Sequence, residues 1–214
     1  AAATLTAGAQ PDKAAAEYVR DGKARLDDGD PAGALELFNK AIASEDQPEY
    51  RLERAWAYIG LKQFDAAEMD VAQALKADPT DPDALYAKAY LLDNNQDYQR
   101  AAAAYSKALK HADDDQLKFI CLTHRGIVYR ELEDYDASYR DFIAAEAIDP
   151  NNVFLLDNMA ITLKKRGQLD GAIERLRRAV ELDAKYYVGH AKLGFYLSEQ
   201  ANYEQAITAF NDAL

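Results

Sequence analysis

A single cysteine, Cys121, excludes any disulfide within this 214-residue chain. That content fits a reducing compartment, but a disulfide-free periplasmic protein has it too. Cytoplasmic and periplasmic or secreted locations both stay open. Only six prolines and ten glycines are present, which excludes long irregular stretches. No apolar run approaches the roughly 20 residues needed to span a bilayer, so membrane insertion is not expected. Basic residues are in short supply: 25 Lys and Arg against 37 Asp and Glu leave a formal charge of -12. A surface of that sign repels phosphate backbones and anionic headgroups, which argues against nucleic acid and lipid partners. Tryptophan occurs once, as Trp56 in "RAWAYIG". The chain opens on "AAATLTAGAQ", without Met. Such small residues remain after signal-peptide cleavage and after trimming alike.

What the chain does have is a globular balance, 49% hydrophobic and 29% charged, and a repeat. "GDPAGALELFNKAI", "KQFDAAEMDVAQAL", "QDYQRAAAAYSKAL", "EDYDASYRDFIAAEAIDP", "GQLDGAIERLRRAV" and "ANYEQAITAFNDAL" share one pattern. A small residue heads each helix at Ala34, Ala67, Ala101, Ser138, Ala172 and Ala206, at steps of 33, 34, 37, 34 and 34. Four residues on comes a large apolar side chain: Phe38, Val71, Tyr105, Phe142, Leu176, Phe210. Three further on stands alanine each time, and twelve before each head stands Gly22, Ala55, Ala89, Gly126, Ala160 or Gly194. Spacings of three and four place residues on one helical face, where alternating small and large side chains let two helices interlock. Turns are predicted at "DDGDP", "LKQF", "NNQDY", "LEDY", "KRGQL" and "QANY". Each unit is therefore a helical hairpin, which must stack on neighbours to bury its apolar face. The one step of 37 places extra residues at "KHADDDQ", read as a longer turn with an Asp capping the next helix.

This pattern resembles the tetratricopeptide repeat family, whose signature runs aromatic, Leu-Gly, Tyr, Ala, aromatic, Ala and Pro on a 34-residue period. The fourth unit carries Leu122, Gly126, Tyr129, Tyr135, Phe142, Ala145 and Pro150 in register; the second carries Ala55, Tyr58, Phe64, Ala67, Ala74 and Pro79. The closing Pro is missing after the first, third and fifth units. The resemblance implies an all-α fold, a right-handed superhelix of antiparallel helix pairs with a concave groove lined by the first helix of each pair. Residues 1–14 read as an N-terminal extension and 15–214 as the repeat domain, in units of about 15–47, 48–81, 82–118, 119–152, 153–186 and 187–214.

A search for chemistry finds no P-loop, no G-x-G-x-x-G and no metal-ligand pair at helical spacing. Cys121 and His124 stand three apart on one helix, but a Cys–His nucleophile also needs an orienting group and an oxyanion hole. Cys121 reads as a packing residue and His124 as a polar groove residue. No enzyme, cofactor or metal is expected, so function falls to a surface.

The position after each Gly or Ala gives Lys23, Trp56, Tyr90, Ile127, Ile161 and Phe195, mostly apolar where a solvated face would be polar. One turn earlier come Val19, Leu52, Tyr86, Thr123, Asp157 and Ala191. One explanation is packing between neighbouring first helices, which suits Ile127 and Ile161. The other is a partly exposed floor that receives a peptide or helix, which suits Trp56, Tyr86 and Tyr90. His124, Arg130, Asn158, Lys164 and Lys192 complete the predicted groove, opposed by Glu131, Asp157 and Glu199. A more basic C-terminal half, to which Lys165 also belongs, would orient a bound chain; ordinary charge scatter is the alternative.

Some family members hold chaperone tails by a carboxylate clamp. Here only Asn158 and Lys192 stand at matching places, with Thr123, Ile127 and Val188 at the others, so tight chaperone-tail binding is not expected. The last helix carries Ile207, Phe210 and Leu214 with no polar cap after it. This reads as a piece of a longer protein or as an end that pairs with another copy. The sequence thus reads as a protein–protein interaction scaffold, or else as a spacer or self-assembly module with no peptide groove.

Overall fold

The computed structural model describes residues 14–214; the predicted extension lies almost wholly outside the described residues. Twelve helices follow one another there: α1 Ala15–Asp27, α2 Pro31–Ser44, α3 Pro48–Gly60, α4 Phe64–Ala77, α5 Pro82–Asn94, α6 Tyr98–His111, α7 Asp115–Glu131, α8 Tyr135–Glu146, α9 Val153–Lys165, α10 Leu169–Leu182, α11 Tyr187–Glu199 and α12 Tyr203–Asp212. They form sequential antiparallel pairs. The described residues divide into two compact units, 14–88 and 89–214, with the boundary inside α5.

The starts of the helices follow from sequence. Proline opens α2 and α3, where its missing N–H costs nothing. Asp30, Asp114, Asp134 and Asn152 accept the free N–H groups of Gly33, Leu117, Ala137 and Leu155. The ends of the first helices share one backbone device. Gly29, Lys62, Gln96, Glu133, Gly167 and Ala201 all have φ between 59° and 75°. Each donates its N–H three residues back, and the next residue donates five back, as Glu133 to Arg130 and Asp134 to Tyr129. This left-handed cap closes the helix and aims the next one back along it. The predicted turns fall at these positions, although only two of the six residues are glycine.

In the first unit α2 packs on α1 and α3, and α3 on α4; in the second, the helices from α6 to α12 each pack on the next. The small-to-large spacing is the contact itself. A Cβ on Gly22 would stand 2.6 Å from the Phe38 ring, one on Gly126 2.6 Å from Phe142, and one on Gly194 2.7 Å from Phe210. Where the first helix has alanine, the second helix carries Val71, Tyr105 or Leu176 instead. Glycine thus accompanies phenylalanine in three units, a volume match at interior packing density.

A buried Arg–Asp pair recurs in each of the two compact units. Arg54 donates twice to Asp70 at 2.7 Å and once to Asn39 at 2.9 Å, joining α3, α4 and α2. Arg125 donates twice to Asp141 at 2.7 Å and once to Ser106 at 2.8 Å, joining α7, α8 and α6. Asp70 and Asp141 are buried, so each guanidinium supplies the bidentate partner that a desolvated carboxylate requires.

The 37-residue step resolves differently from expectation. Asp114 does cap the next helix, but the connection is only residues 112–114, and the insertion instead lengthens α7 to 17 residues. The extra turn buries Leu117 and Phe119, which offsets the cost of ordering it.

Candidate functional site

The predicted groove residues lie on the first helices α3, α5, α7, α9 and α11. In the first unit, the Trp56 and Tyr86 rings stand 5.4 Å apart, tilted by 31°, both half-buried. Leu52, one turn before Trp56, is buried and contributes packing rather than open surface. Lys23 and Glu53 pair at 2.6 Å between α1 and α3.

In the second unit His124 is half-buried, stacked on Tyr105 at 6.0 Å and met edge-on by Tyr90 at 5.9 Å. Burial lowers its pKa, favouring the neutral ring. It therefore belongs to an aromatic cluster rather than serving as a groove charge. Its helical neighbour Cys121 is fully buried. Ile127 packs against the core around Phe119 and Phe142, as the packing explanation expects. Ile161 is half-buried.

Along α9 and α11 the surface changes character. Phe154, Val188 and Phe195 are 56%, 58% and 64% exposed. Phe154 stands three and four residues before Asp157 and Asn158, so all three share a face of α9. Phe195 meets Phe210 edge-on at 5.1 Å and leaves most of its ring in solvent.

Between these apolar groups the charges close on themselves. Lys192 donates to Asp157 at 2.5 Å, from α11 to α9. Lys164 pairs with Glu199 at 2.6 Å and stands 4.5 Å over the Tyr196 ring. Arg130 donates to Asn158 at 2.9 Å and lies 3.6 Å from Glu131. Asn158, itself buried, donates to the Phe154 carbonyl at 2.8 Å. Lys192, Lys164 and Arg130, three of the cations predicted to orient a partner, are thus held by the chain's own acceptors.

The buried Asp157 carboxylate is engaged by Lys192 at its Oδ2 and by the Tyr186 hydroxyl, a further hydrogen-bond partner. Burial raises the pKa of Tyr186 and of Tyr196, and the neighbouring Asp157 carboxylate raises both further. Burial, and then the like charge of Glu131, push the Asp93 carboxyl up to about 6. The sequence showed Asp157 only as an opposing charge and did not single out Phe154. Its spacing from Asn158 was the available signal; its exposure was not.

Repeated hairpins with volume-matched Gly–Phe contacts define a helical-repeat protein. Residues 19–82 and 52–116 match the family model described as tetratricopeptide repeat. The chain is a tetratricopeptide repeat protein. It is 25% identical over 171 residues to human DnaJ homolog subfamily C member 7, covering 74% of this chain and 35% of that protein. It spans about a third of the length of the curated relatives it matches first. Among solved structures, Pseudomonas aeruginosa pilF superposes with a TM-score of 0.81 at 14% identity, over 91% of this chain and 88% of that one. YrrB, described as a TPR protein with an unusual peptide-binding site, superposes with a TM-score of 0.66 at 20% identity, over 84% and 91%. At these identities the likeness carries the fold.

Proposed function

We propose that the chain is a protein-interaction scaffold whose first helices seat a peptide or helix of a partner protein. The observation that carries this reading is the apolar exposure of Phe154, Val188 and Phe195 on α9 and α11. Exposed apolar side chains, the two phenylalanines above all, are favoured binding anchors. The peptide-binding site named for YrrB supports the same use of the fold. No catalytic step enters the proposal.

The test is a pull-down comparing the unaltered chain with Phe154→Asp/Phe195→Asp and with Trp56→Ala/Tyr90→Ala. Each pair is expected to lose partners, with the larger loss for the exposed pair. Equal recovery of every partner by all three proteins sinks the groove. The sole tryptophan gives a second readout, because a partner seated over Trp56 changes its fluorescence.

A second reading, end-to-end association of copies, draws on α12, where Tyr203 and Ile207 are 64% and 61% exposed. Sedimentation that shows one concentration-independent monomer removes it.

A further inference from the structure

Each residue on the open face of α12 has a counterpart on α10, one repeat earlier. Leu169, Ile173 and Leu176 stand 34 residues before Tyr203, Ile207 and Phe210. Ile173 and Leu176 are 3% and 0% exposed, in one core cluster with Leu193, Tyr196 and Leu197 of α11, and Leu169 packs against that cluster. One repeat on, Tyr203 and Ile207 are 64% and 61% exposed and Phe210 is half-buried. All six are apolar or aromatic; the difference is that α10 has a helix laid over it. Tyr203, Ile207 and Phe210, at spacings of four and three, share one face of α12, and that face is of the kind that a helix covers.

The helix α1 of a second copy does not suit it. The repeat steps set Asp21 and Arg25 of α1 where α11 has Leu193 and Leu197, so a head-to-tail contact would bury two charges. A second α12 suits it better. Among the described residues α12 is the one helix without Lys or Arg, so covering it desolvates no cation of its own. Ile207 lies at its middle. When two such helices lie antiparallel with Ile207 against Ile207, Glu204 comes opposite Phe210 and Asp212 opposite Asn202, and no two carboxylates meet.

We infer that α12 pairs with α12 of a second copy across a two-fold axis at Ile207, an isologous contact that closes at the dimer. This rests on the end-to-end reading and uses neither Phe154 nor Val188 of the groove. A chain of charge -12 repels its copy, so salt that screens the repulsion favours the pair.

The test is sedimentation of the full chain over a range of concentrations, together with thiol crosslinking. A monomer–dimer equilibrium is expected, tighter at physiological than at low salt. Ile207→Asp, at an exposed site, should weaken it about tenfold or more with unchanged helix content, and Phe154→Asp should leave it as it is. Ile207→Cys sets two thiols against each other at the axis, and a short bis-maleimide should join them. Cys121 is fully buried, so the unaltered chain gives no such product.

One monomer at every concentration overturns the inference and the end-to-end reading together, and leaves the face to a helix of another protein. A dimer that Ile207→Asp does not weaken, or that Phe154→Asp dissolves, overturns the inference alone, by placing self-association away from α12. Ile207→Cys that crosslinks only when mixed with Ala24→Cys in α1, or assemblies larger than a dimer, overturn the two-fold in favour of a head-to-tail contact.

Discussion

The two units are built alike and finished differently. Each holds one buried Arg–Asp pair that ties a hairpin to the helix before it, Arg54–Asp70 in the first and Arg125–Asp141 in the second. Each also holds a glycine against a phenylalanine ring, at Gly22 and at Gly126. Their outward faces differ. In the first unit, Trp56 and Tyr86 half-bury each other, and Lys23 closes on Glu53. In the second, three apolar side chains, Phe154, Val188 and Phe195, stand open on α9 and α11. The shared parts hold hairpins together. The unshared parts are where a partner has something to gain.

The largest expected effect tests the shared ion pair. Arg125→Met strands the Asp141 carboxylate, which among the described residues pairs with Arg125 alone, and is expected to cost about 3–5 kcal/mol in urea unfolding. Arg54→Met is expected to cost less, because Arg51 also reaches Asp70 at 3.4 Å. Equal losses would break the comparison.

Next is the glycine contact. Gly126→Ala drives a methyl into the Phe142 ring and is expected to cost about 1–3 kcal/mol, more than the helix propensity it gains. Adding Phe142→Leu, which copies the Ala160 and Leu176 combination of the fifth unit, should restore much of the loss. Gly22→Ala in the first unit should behave in the same way.

The carboxylate of the second unit gives a pH signature. Asp93 has a folded-state pKa of about 6, above that of an unfolded aspartate. The folded chain therefore binds more protons between about pH 4 and pH 6, and stability falls as pH rises through that window. Above it the unfavourable contribution is fully present. Asp93→Asn should flatten this part of the profile and add about 1 kcal/mol near neutral pH. An unchanged profile would show that Asp93 has found a cation.

The smallest effect sharpens the likeness between units. Lys62 in the first and Ala201 in the second hold the left-handed turn conformation that glycine holds at Gly29 and Gly167. Replacing either by glycine should raise stability by about 0.5–1 kcal/mol. Similar gains in melting temperature would show that one turn serves both units.

The hairpin order was legible because helix periodicity and small–large spacing are written locally. Gly126 and Phe142 announce their contact sixteen residues apart, and Asp114 announces a helix start three residues before the N–H it caps. The insertion at "KHADDDQ" was placed correctly but given the wrong form. Its length shows in the repeat step, whereas its conversion into helix depends on the burial of Leu117 and Phe119. The site was legible in part. Phase alone proposed Phe195, and charge proposed Lys192 and Arg130, but their exposure and pairing were not visible there. Their engagement by Asp157 and by Asn158 could not be read, because those partners lie 35 and 28 residues away on other helices.

The sequence by itself determined the number of hairpins, their period, the side of each helix that packs inward and the sign of the overall charge. These depend on residue volume, spacing and composition, which need no neighbours to define them. Only the tertiary structure decided which rings stay in water, which cations are already spent and which carboxylates they are spent on. Exposure and pairing belong to the space between helices, and there a side chain is satisfied or left wanting by residues far from it in the chain.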